Sequence, residues 1–482
     1  MSLTGHPDGA QVVIVGGGIG GLSTAFYLQR QARELDVPVR FTLVEPDTRF
    51  GGKIRSDRIA ESGGLLLEAG PDSFLTQKPA ALELVRDLGI QDQLIDVNEA
   101  HRRVFFLRHG KPVQMPDGMM LIVPTKAGAF ARSAVMSPWG KLRLALDLVI
   151  PARSGDDDET LASFIQRRLG PEALDRLAEP LLSGIYNAEP ERQSLLATFP
   201  RLREMEKTHG SLIKGMRAAR RAARSPNGQA SSSPFASLRG GLEDLVTAVV
   251  GQLEGRLLPG RRAVGIETGK MAEGFRVRLD DGNVLRADVV ALALPAFEAA
   301  RLVSPIQPDL ARELMAIRYV STGTVSLAYR TADVGRPLDG FGLVIPRSEG
   351  RDVNAISMSS LKFVERAPGD QLLLRAFVGG SRNPKILDHD DESLVSLVRD
   401  ELRQLLGIRA EPTVNRVYRW RNGNPQYDVG HLQRVDQLDL LSPPGLFLTG
   451  SSYRGVGIPD CIKHGKDTAT KIISHLATRV LA

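Results

Sequence analysis

A single cysteine, Cys461, stands among 482 residues. That scarcity excludes a disulfide framework and a cysteine-based zinc cluster, and it fits a reducing compartment. Aromatic residues are also sparse, at 5%, with two Trp and seven Tyr. Single-stranded nucleic acids are held largely by stacking on aromatic rings, so no nucleic-acid partner is expected. No apolar run is long enough to span a bilayer; "LRLALDLVIP" is broken by Arg143 and Asp147. The first residues, "MSLTGHPDGAQVVIVGGG", are polar and then pass into a strand, without the pattern of a signal peptide. These absences lead to the expectation of a cytoplasmic protein. Its length suggests two or three domains.

Charge is present but unevenly spread. The formal net charge is +6. Residues 201–224, "RLREMEKTHGSLIKGMRAARRAAR", hold eight basic residues against two glutamates. Such a run is commonly a solvated helix face. It also suits an anion-attracting surface, for an acidic substrate or for lipid head groups, so peripheral membrane contact is left open.

The first stretch with specific chemistry is "QVVIVGGGIGGLSTAFYLQRQA". Val12–Val15 are β-branched and apolar, as in a buried parallel strand. Gly16, Gly18 and Gly21 satisfy G-x-G-x-x-G, a turn that lets main chain approach a pyrophosphate and lets the next helix lie close on the sheet. The pyrophosphate would meet the positive end of the helix starting near Gly20. A second strand, "RFTLVEP", ends in Glu45, placed to accept hydrogen bonds from an adenosine ribose. An acidic residue there disfavours a 2′-phosphate. Arg49 and the pair Gly51-Gly52 follow at once, giving E-x-x-x-R-x-G-G. Two glycines after an arginine let main chain wrap a second phosphate face. This piece resembles the motif of FAD enzymes of the amine oxidase and phytoene desaturase superfamily, and the resemblance implies FAD.

Further along, Leu65–Leu67 read as a strand, and Gly70-Pro71-Asp72 as a turn that would sit beside the flavin ring. Residues 79–200 read as mostly helical by their period. In "KPAALELVRDLGI", Leu82, Val85 and Leu88 face one way and Gly89 is the stop. "ARSPNGQASSS", residues 223–233, reads as a polar linker. A hairpin with an Asp281-Gly282 turn and a buried strand at Val289–Leu294 come next. Val264 is a candidate for main-chain contact with adenine. Residues 318–380 alternate apolar and polar, which suggests a second sheet, and "ESLVSLVRDELRQLLG" reads as an amphipathic helix. Near the end, "LFLTGSSYRGVGIPDCIKHGK" repeats the order strand, glycine turn, helix. In a doubly wound sheet ligands lie beyond the carboxyl ends of the strands, so a late strand can supply a second cofactor loop beside the first.

The whole chain resembles the oxygen-dependent porphyrinogen oxidases of haem biosynthesis. The residues that carry this are "RFGGKIRS", "EAGPDSF", "RRVFFLRHGKPV", "DETLASFIQRRLGPEALDRLAEPLLSGIYNAEPERQS", "THGSLIKGM", "SLRGGLEDL", "AFVGGSRNP", "PQYDVGH" and "GVGIPDCIKHGK". The resemblance implies an α/β architecture with a Rossmann-like FAD-binding domain, discontinuous in sequence, from 8–80, 235–297 and 431–482. It implies a mixed-sheet α+β substrate domain from 201–234 and 298–430. It implies a helical lobe from 81–200, which docks on the bilayer in membrane-associated relatives. The reaction implied is a six-electron oxidation of a porphyrinogen to the porphyrin, in three flavin cycles, with O2 as acceptor and H2O2 as product. Coproporphyrinogen III is the expected substrate and protoporphyrinogen IX the alternative, because the basic excess suits more carboxylates.

By matching, Arg103 would pair with a substrate propionate, where a guanidinium suits a carboxylate better than lysine. Val344, Ser357 and Phe377 match positions that clamp the macrocycle, with Ser357 standing where relatives often carry an aliphatic residue. Gly184, with Ile185 and Tyr186, matches a loop at the pocket border. Gly450 would end the last strand beside the pyrophosphate, and Val456, Gly457 and Ile458 would lay main chain along the flavin ring. Cys461 reads as a small packed residue. No general base is evident; the bridge hydrogen would leave as hydride to flavin N5 while pyrrole protons pass to water. Two other readings share the glycine turn. An amine or carotenoid oxidase of the superfamily would favour an aromatic cage or a more apolar tunnel. A non-catalytic escort protein of the Rab-inhibitor type has no need of Arg49 and its glycines. Oligomeric state and hand-off to a ferrochelatase are not readable from the sequence.

Overall fold

The structure, a computed structural model, describes residues 9–223, 233–269, 274–335 and 339–481. Residues 1–8 and nearly all of the stretch read as a polar linker, 224–232, lie outside the described residues. The first apolar run forms strand β1 (Ala10–Val15), which leads through the glycine turn into helix α1 (Ile19–Glu34) and strand β2 (Val39–Glu45). Three distant segments join them: β3 (Arg256–Pro259), β4 (Val289–Leu292) and β5 (Leu446–Leu448). All pair in parallel, in the order β3-β2-β1-β4-β5. β4 is buried at every residue, as a strand covered on both faces must be.

The side chains of β1 divide between two cores, because successive residues of a strand point to opposite faces. Val12 and Ile14 pack with Leu22, Phe26, Ile462 and Ile472, so this face is covered by α1 and the last helix, α2 (Ile458–Leu481). Val13 and Val15 pack with Val277, Ala299 and Leu310, from an antiparallel meander of strands 263–268, 275–279 and 284–287 and two helices after β4. The meander turns at Asp281-Gly282.

α1 and α2 touch more closely than side chains allow. A Cβ at Gly465 would lie 2.7 Å from the carbonyl oxygen of Gly20 and 3.0 Å from the amide nitrogen of Thr24. A Cβ at Gly20 would lie 3.0 Å from Cα of Gly450. The first and last βα units are therefore seated backbone against backbone.

A second, seven-stranded sheet is mixed. Its strands run in the order 414–425, 319–330, 371–379, 353–358, 342–344, 104–108 and 111–114. Only 342–344 and 104–108 pair in parallel. One face is covered by the helix Asp391–Leu406, where Leu394, Val398 and Leu402 meet Leu374, Ala376 and Val378. A helical lobe packs Phe164, Ile165, Leu177, Leu202, Met205, Ile213 and Met216 into a third core. At its centre Arg168 and Asp147 are fully buried together. Arg168 donates to Asp147 at 2.7 Å, and the other carboxylate oxygen accepts from Ser211 Oγ at 2.6 Å and the Ile213 amide at 2.9 Å. With its lone pairs taken, that charge is tolerable away from water.

Three expected boundaries differ. Residues 104–108 and 111–114, expected within the helical lobe, are strands of the seven-stranded sheet. The reason is local: His109 and Gly110 both take positive φ, +51° and +71°, which makes a tight hairpin of "VFFLRHGKPVQ". Residues 201–223, expected with the substrate sheet, are two helices buried in the lobe's own core. Residues 298–317, also expected there, pack on the parallel sheet instead. The segment "EALDRLAEPLLSG" is helical as expected, but Leu174–Ser183 winds as a π-helix with Pro180 inside it. A wider turn leaves room for a residue that cannot donate.

Gly465→Val drives a branched side chain into the backbone of α1. Overpacking of this kind costs about 1–3 kcal/mol, and urea denaturation followed by circular dichroism should show a loss of that order. An unchanged midpoint would mean the helices have slack that the close contact denies.

Candidate active site

The glycine turn between β1 and α1 is held from below. Gly16 takes φ +106°, and a Cβ there would meet the Ala293 carbonyl oxygen at 2.4 Å. A Cβ at Gly21 would lie 1.9 Å from the Gly16 oxygen, so this position cannot carry a side chain. Gly18 differs: a Cβ there would meet nothing within 4 Å, and the same is true of Gly450 across the cleft. No side chain caps α1 and no acidic residue stands in its first turn. The positive end of the helix is thus open toward free space, a ready site for a phosphate.

Glu45 ends β2 beside this turn. Its Oε2 accepts from the Gly17 amide at 2.7 Å and its Oε1 from the Asp47 amide at 2.9 Å. Burial pushes its pKa up, and the two amides and Arg49 oppose that. Each oxygen keeps a lone pair for a hydroxyl donor. Arg49 does not point outward. It donates to the carbonyls of Phe50 (3.1 Å), Ile54 (2.9 Å) and Gly52, so it stitches its own loop. That loop docks on the first turn through Gly51 N–H to the Gly17 carbonyl, 2.8 Å. Val264 sits on a β-bulge of the meander, skipped by the ladder and 46% exposed, so its main chain is available to a ligand. The adjoining segment is tied to β2 by the Arg261 amide on the Glu45 carbonyl, 2.9 Å.

The C-terminal loop closes the cradle. Tyr427 donates to the Ser451 carbonyl and accepts from the Gly455 amide, both at 2.8 Å. Burial holds its phenol well above the usual range. His431 stacks on Tyr427 at 3.8 Å and bonds the Tyr453 carbonyl at 2.8 Å. Burial lowers its pKa to about 4, so the ring is neutral near pH 7. Val456 packs partly buried with Tyr186, Ala188 and Tyr427, and α2 begins at Ile458, just after Gly457. Cys461 is buried, and burial pushes its thiol up to about 12. Such a thiol is no nucleophile near neutral pH. These residues fit FAD: an uncapped helix end, glycines facing open space, a carboxylate at the ribose position and a main-chain loop from the far end of the chain.

The candidates for substrate contact lie elsewhere. Strand register puts Val344 opposite Ala355, Ala355 opposite Phe377, and Ser357 opposite Arg375. Val344, Ser357 and Phe377 therefore share one face of the seven-stranded sheet, the face away from helix 391–406. The same face carries Arg375, which donates to the Gly70 carbonyl and lies 4.7 Å from the Phe377 ring centre. Trp420 Nε1 donates to the Ala69 carbonyl at 2.9 Å. Lys362 holds both carboxylate oxygens of Asp72, at 2.8 and 3.0 Å. Burial alone would push the Asp72 carboxyl up; Lys362 and Arg375 overcome it and hold it well below the usual range. The turn expected beside the flavin is therefore fastened to the substrate sheet by Arg375 and Trp420, and to the short helix Ser359–Lys362 after strand 353–358 by Lys362; the sequence alone marks none of the three. Their signal in the sequence is weak, because the contacts span 290, 305 and 351 residues.

Gly184 is exposed at the end of the π-helix, and Tyr186 nearby meets Tyr427 at 5.7 Å between ring centres. The 184–186 loop and the 455–458 loop are thus brought together. Arg103 is not free. Its guanidinium pairs with Asp339, whose other oxygen lies 3.1 Å from His101 Nδ1. It stands at the edge of the strand 104–108, three strands away from Phe377.

The chain is similar to known flavin enzymes over nearly its whole length. A family model described as flavin containing amine oxidoreductase matches residues 19–473. The chain is 36% identical to a coproporphyrinogen III oxidase of Bacillus subtilis, over 96% of this chain and 98% of that one. It is 33% identical to a protoporphyrinogen oxidase of Bos taurus, over 96% and 98%. A crystal structure from Exiguobacterium sp. 255-15 superposes with a TM-score of 0.85 at 30% identity, over 96% and 98%.

His431 carries a pH signature. The unfolded ring titrates near its ordinary value and the native ring only at about 4. Between these values the unfolded state binds the extra proton, so stability falls as pH drops from about 6.5 to 4, by up to about 3 kcal/mol. In His431→Gln this part of the acid loss should vanish from the pH dependence of the denaturation free energy. A slope equal to that of the parent would contradict the buried neutral ring.

Proposed function

We infer the function from one premise: the chain belongs to the flavin containing amine oxidoreductase family, over residues 19–473. It is an FAD-dependent oxidoreductase that oxidises a porphyrinogen to the porphyrin. Coproporphyrinogen III is the substrate proposed, with protoporphyrinogen IX as the second reading. The full-length similarity to a coproporphyrinogen III oxidase, 36% identical, is the observation that carries this. The basic balance of the chain favours the substrate with more carboxylates.

A porphyrinogen must lose six electrons and six protons, and bound FAD supplies the two-electron acceptor that passes them on to O2. The protein's own task is to hold. Glu45 receives the ribose, the α1 end and Gly18 receive the pyrophosphate, and Arg49 stiffens the loop that wraps it. Gly450 borders the pyrophosphate beside Gly20, and Val456, Gly457 and Ile458 line the ring with main chain. The face carrying Val344, Ser357 and Phe377 gives the macrocycle a wall, and Gly184 borders it. Arg103 lies three strands from Phe377 and three residues before Phe106, which the register sets level with it; ordinary strand spacing and rise make this about 17 Å, a distance that suits a carboxylate at the rim of a large ring. In that reading Asp339 occupies the guanidinium until a substrate carboxylate replaces it. Fixed loops around a rigid wall supply the orientation on which such a reaction depends.

A surface observation favours a membrane partner. Trp139, Leu142, Leu146 and Val149 are exposed, Trp139 by 79%, and their spacing puts them along one side of the helix Pro138–Ala145 and the turn after it. The basic helix Leu212–Ala223 is tied to the same turn through Asp147. An apolar stripe beside a basic helix suits an anionic lipid surface. No helix among the described residues is long and apolar enough to cross a membrane. The contact proposed is peripheral.

Initial rates of porphyrin fluorescence on the two porphyrinogens test the function. Faster turnover of coproporphyrinogen III is expected, and a strong preference for protoporphyrinogen IX would reverse the choice. In the same assay Arg103→Ala should raise KM about tenfold, the loss of one charge-assisted contact, while keeping FAD; an unchanged KM would remove Arg103 from the site. For the membrane reading, Trp139→Ser/Leu142→Ser should lose co-sedimentation with phosphatidylglycerol vesicles. Equal sedimentation of parent and variant would dismiss the stripe.

A further inference from the structure

Lys53 follows directly on the glycine pair of the cofactor loop. Its main chain is pressed against the turn before Asp72: a Cβ at Gly70 would lie 1.8 Å from the Lys53 carbonyl oxygen. Its side chain crosses to the end of strand 414–425, where Nζ donates to the Gly423 carbonyl at 2.6 Å. Three pieces of the active site meet at this residue: the loop that follows Arg49, the turn held by Arg375 and Lys362, and the last strand of the substrate wall.

Its amine has no counter-ion among the described residues; the one polar contact is the Gly423 carbonyl. The carboxylates on the elements packed around it are committed elsewhere. Asp72 is held by Lys362, and Asp460 by Lys78, 2.7 Å from both oxygens. Asp57 binds Arg55 at 2.9 Å and Tyr418 at 2.7 Å, and Glu68 binds Ser56 at 2.7 Å with Arg366 3.7 Å away. The remaining cations there, Arg49 and Arg55 on its own loop and Arg375 on the sheet, are bonded to carbonyls or carboxylates. Loss of water pulls the Lys53 pKa down, and Cys461 beside it brings no opposing charge, because burial keeps its thiol protonated near neutral pH. A half-buried ammonium with one carbonyl and no partner charge is less favourable than a solvated one. A neutral amine in the same place is not, and it has a lone pair to offer.

We propose that the Lys53 amine is the proton store of this site, taking one proton each time the site receives two electrons. The idea rests on the function proposed above and balances with it. In each step the substrate gives up two hydrogens. One leaves a bridge carbon as hydride, two electrons and one proton, to the flavin. The other leaves a pyrrole nitrogen as a proton and ends on Lys53. When O2 then takes the two electrons, the hydride's proton and the ammonium's proton complete H2O2, and both flavin and amine return to their starting states. The negative charge that arrives with the electrons is what makes the ammonium favourable.

The test needs no porphyrinogen. The midpoint potential of the bound FAD is measured by dye equilibration between about pH 7 and pH 9, in the parent, Lys53→Met and Lys53→Arg. The slope against pH counts protons taken up per two electrons. About two are expected in the parent and about one in both variants, because methionine cannot take a proton and arginine does not release one. Lys53→Arg keeps the charge and carries the comparison should Lys53→Met lose FAD. The same slope in all three proteins overturns the proposal. Failure of the proposed function would appear separately, as absence of porphyrin formation by the parent.

Discussion

The structure depends on one steric constraint: two backbone segments from opposite ends of the chain pass each other at a distance that no side chain allows. Gly20 on α1 faces Gly450, and Gly465 on α2 lies against the Gly20 carbonyl. This seats the last βα unit beside the first, so one cradle has walls from residues 16–21, 51–52 and 450–458. It also explains how a dinucleotide site can be divided across more than 400 residues. Its parts are distant in sequence and adjacent in the order β3-β2-β1-β4-β5.

A second constraint joins the cradle to the substrate wall. The turn at residues 69–72 belongs to the first, and Arg375, Trp420 and Lys362 belong to the second. These bonds are made by buried or half-buried groups, where a charge-assisted bond counts for more than at the surface. The helical lobe is tied on by the same means. Glu179 of the π-helix accepts from Arg382 at 2.9 and 2.8 Å, and Arg382 also reaches the Ile345 carbonyl at 2.7 Å. Each of the three regions is therefore fixed relative to the flavin loop by a polar clamp, as a reaction governed by orientation requires.

Much of this was legible in the sequence, and the limits have physical reasons. The glycine turn, Glu45, the Arg49 loop and the late strand-turn-helix are local patterns, and the fold class followed from them. Family resemblance added Arg103 and the clamp positions, which no periodicity marks. The hairpin at 104–114 was lost in a long helical reading because its signal is two residues, His109 and Gly110. The helices at 200–223 were assigned to the wrong neighbour because their basic charge says nothing of which core takes their leucines. Lys362, Arg375 and Lys53 were invisible because a lone charge acquires meaning only from what the fold brings to it. Lys53 lies 370 residues from the carbonyl it meets.

In the proposed function one bound FAD, held between the two ends of the chain, takes electrons from a porphyrinogen lying on the sheet face. The most direct measurement is the flavin absorbance of the purified protein, mixed with coproporphyrinogen III without oxygen and then exposed to air. Bleaching on mixing is expected, with porphyrin appearing as the colour falls, and recovery of the flavin band in air. A flavin that stays oxidised in the presence of the porphyrinogen would contradict that function.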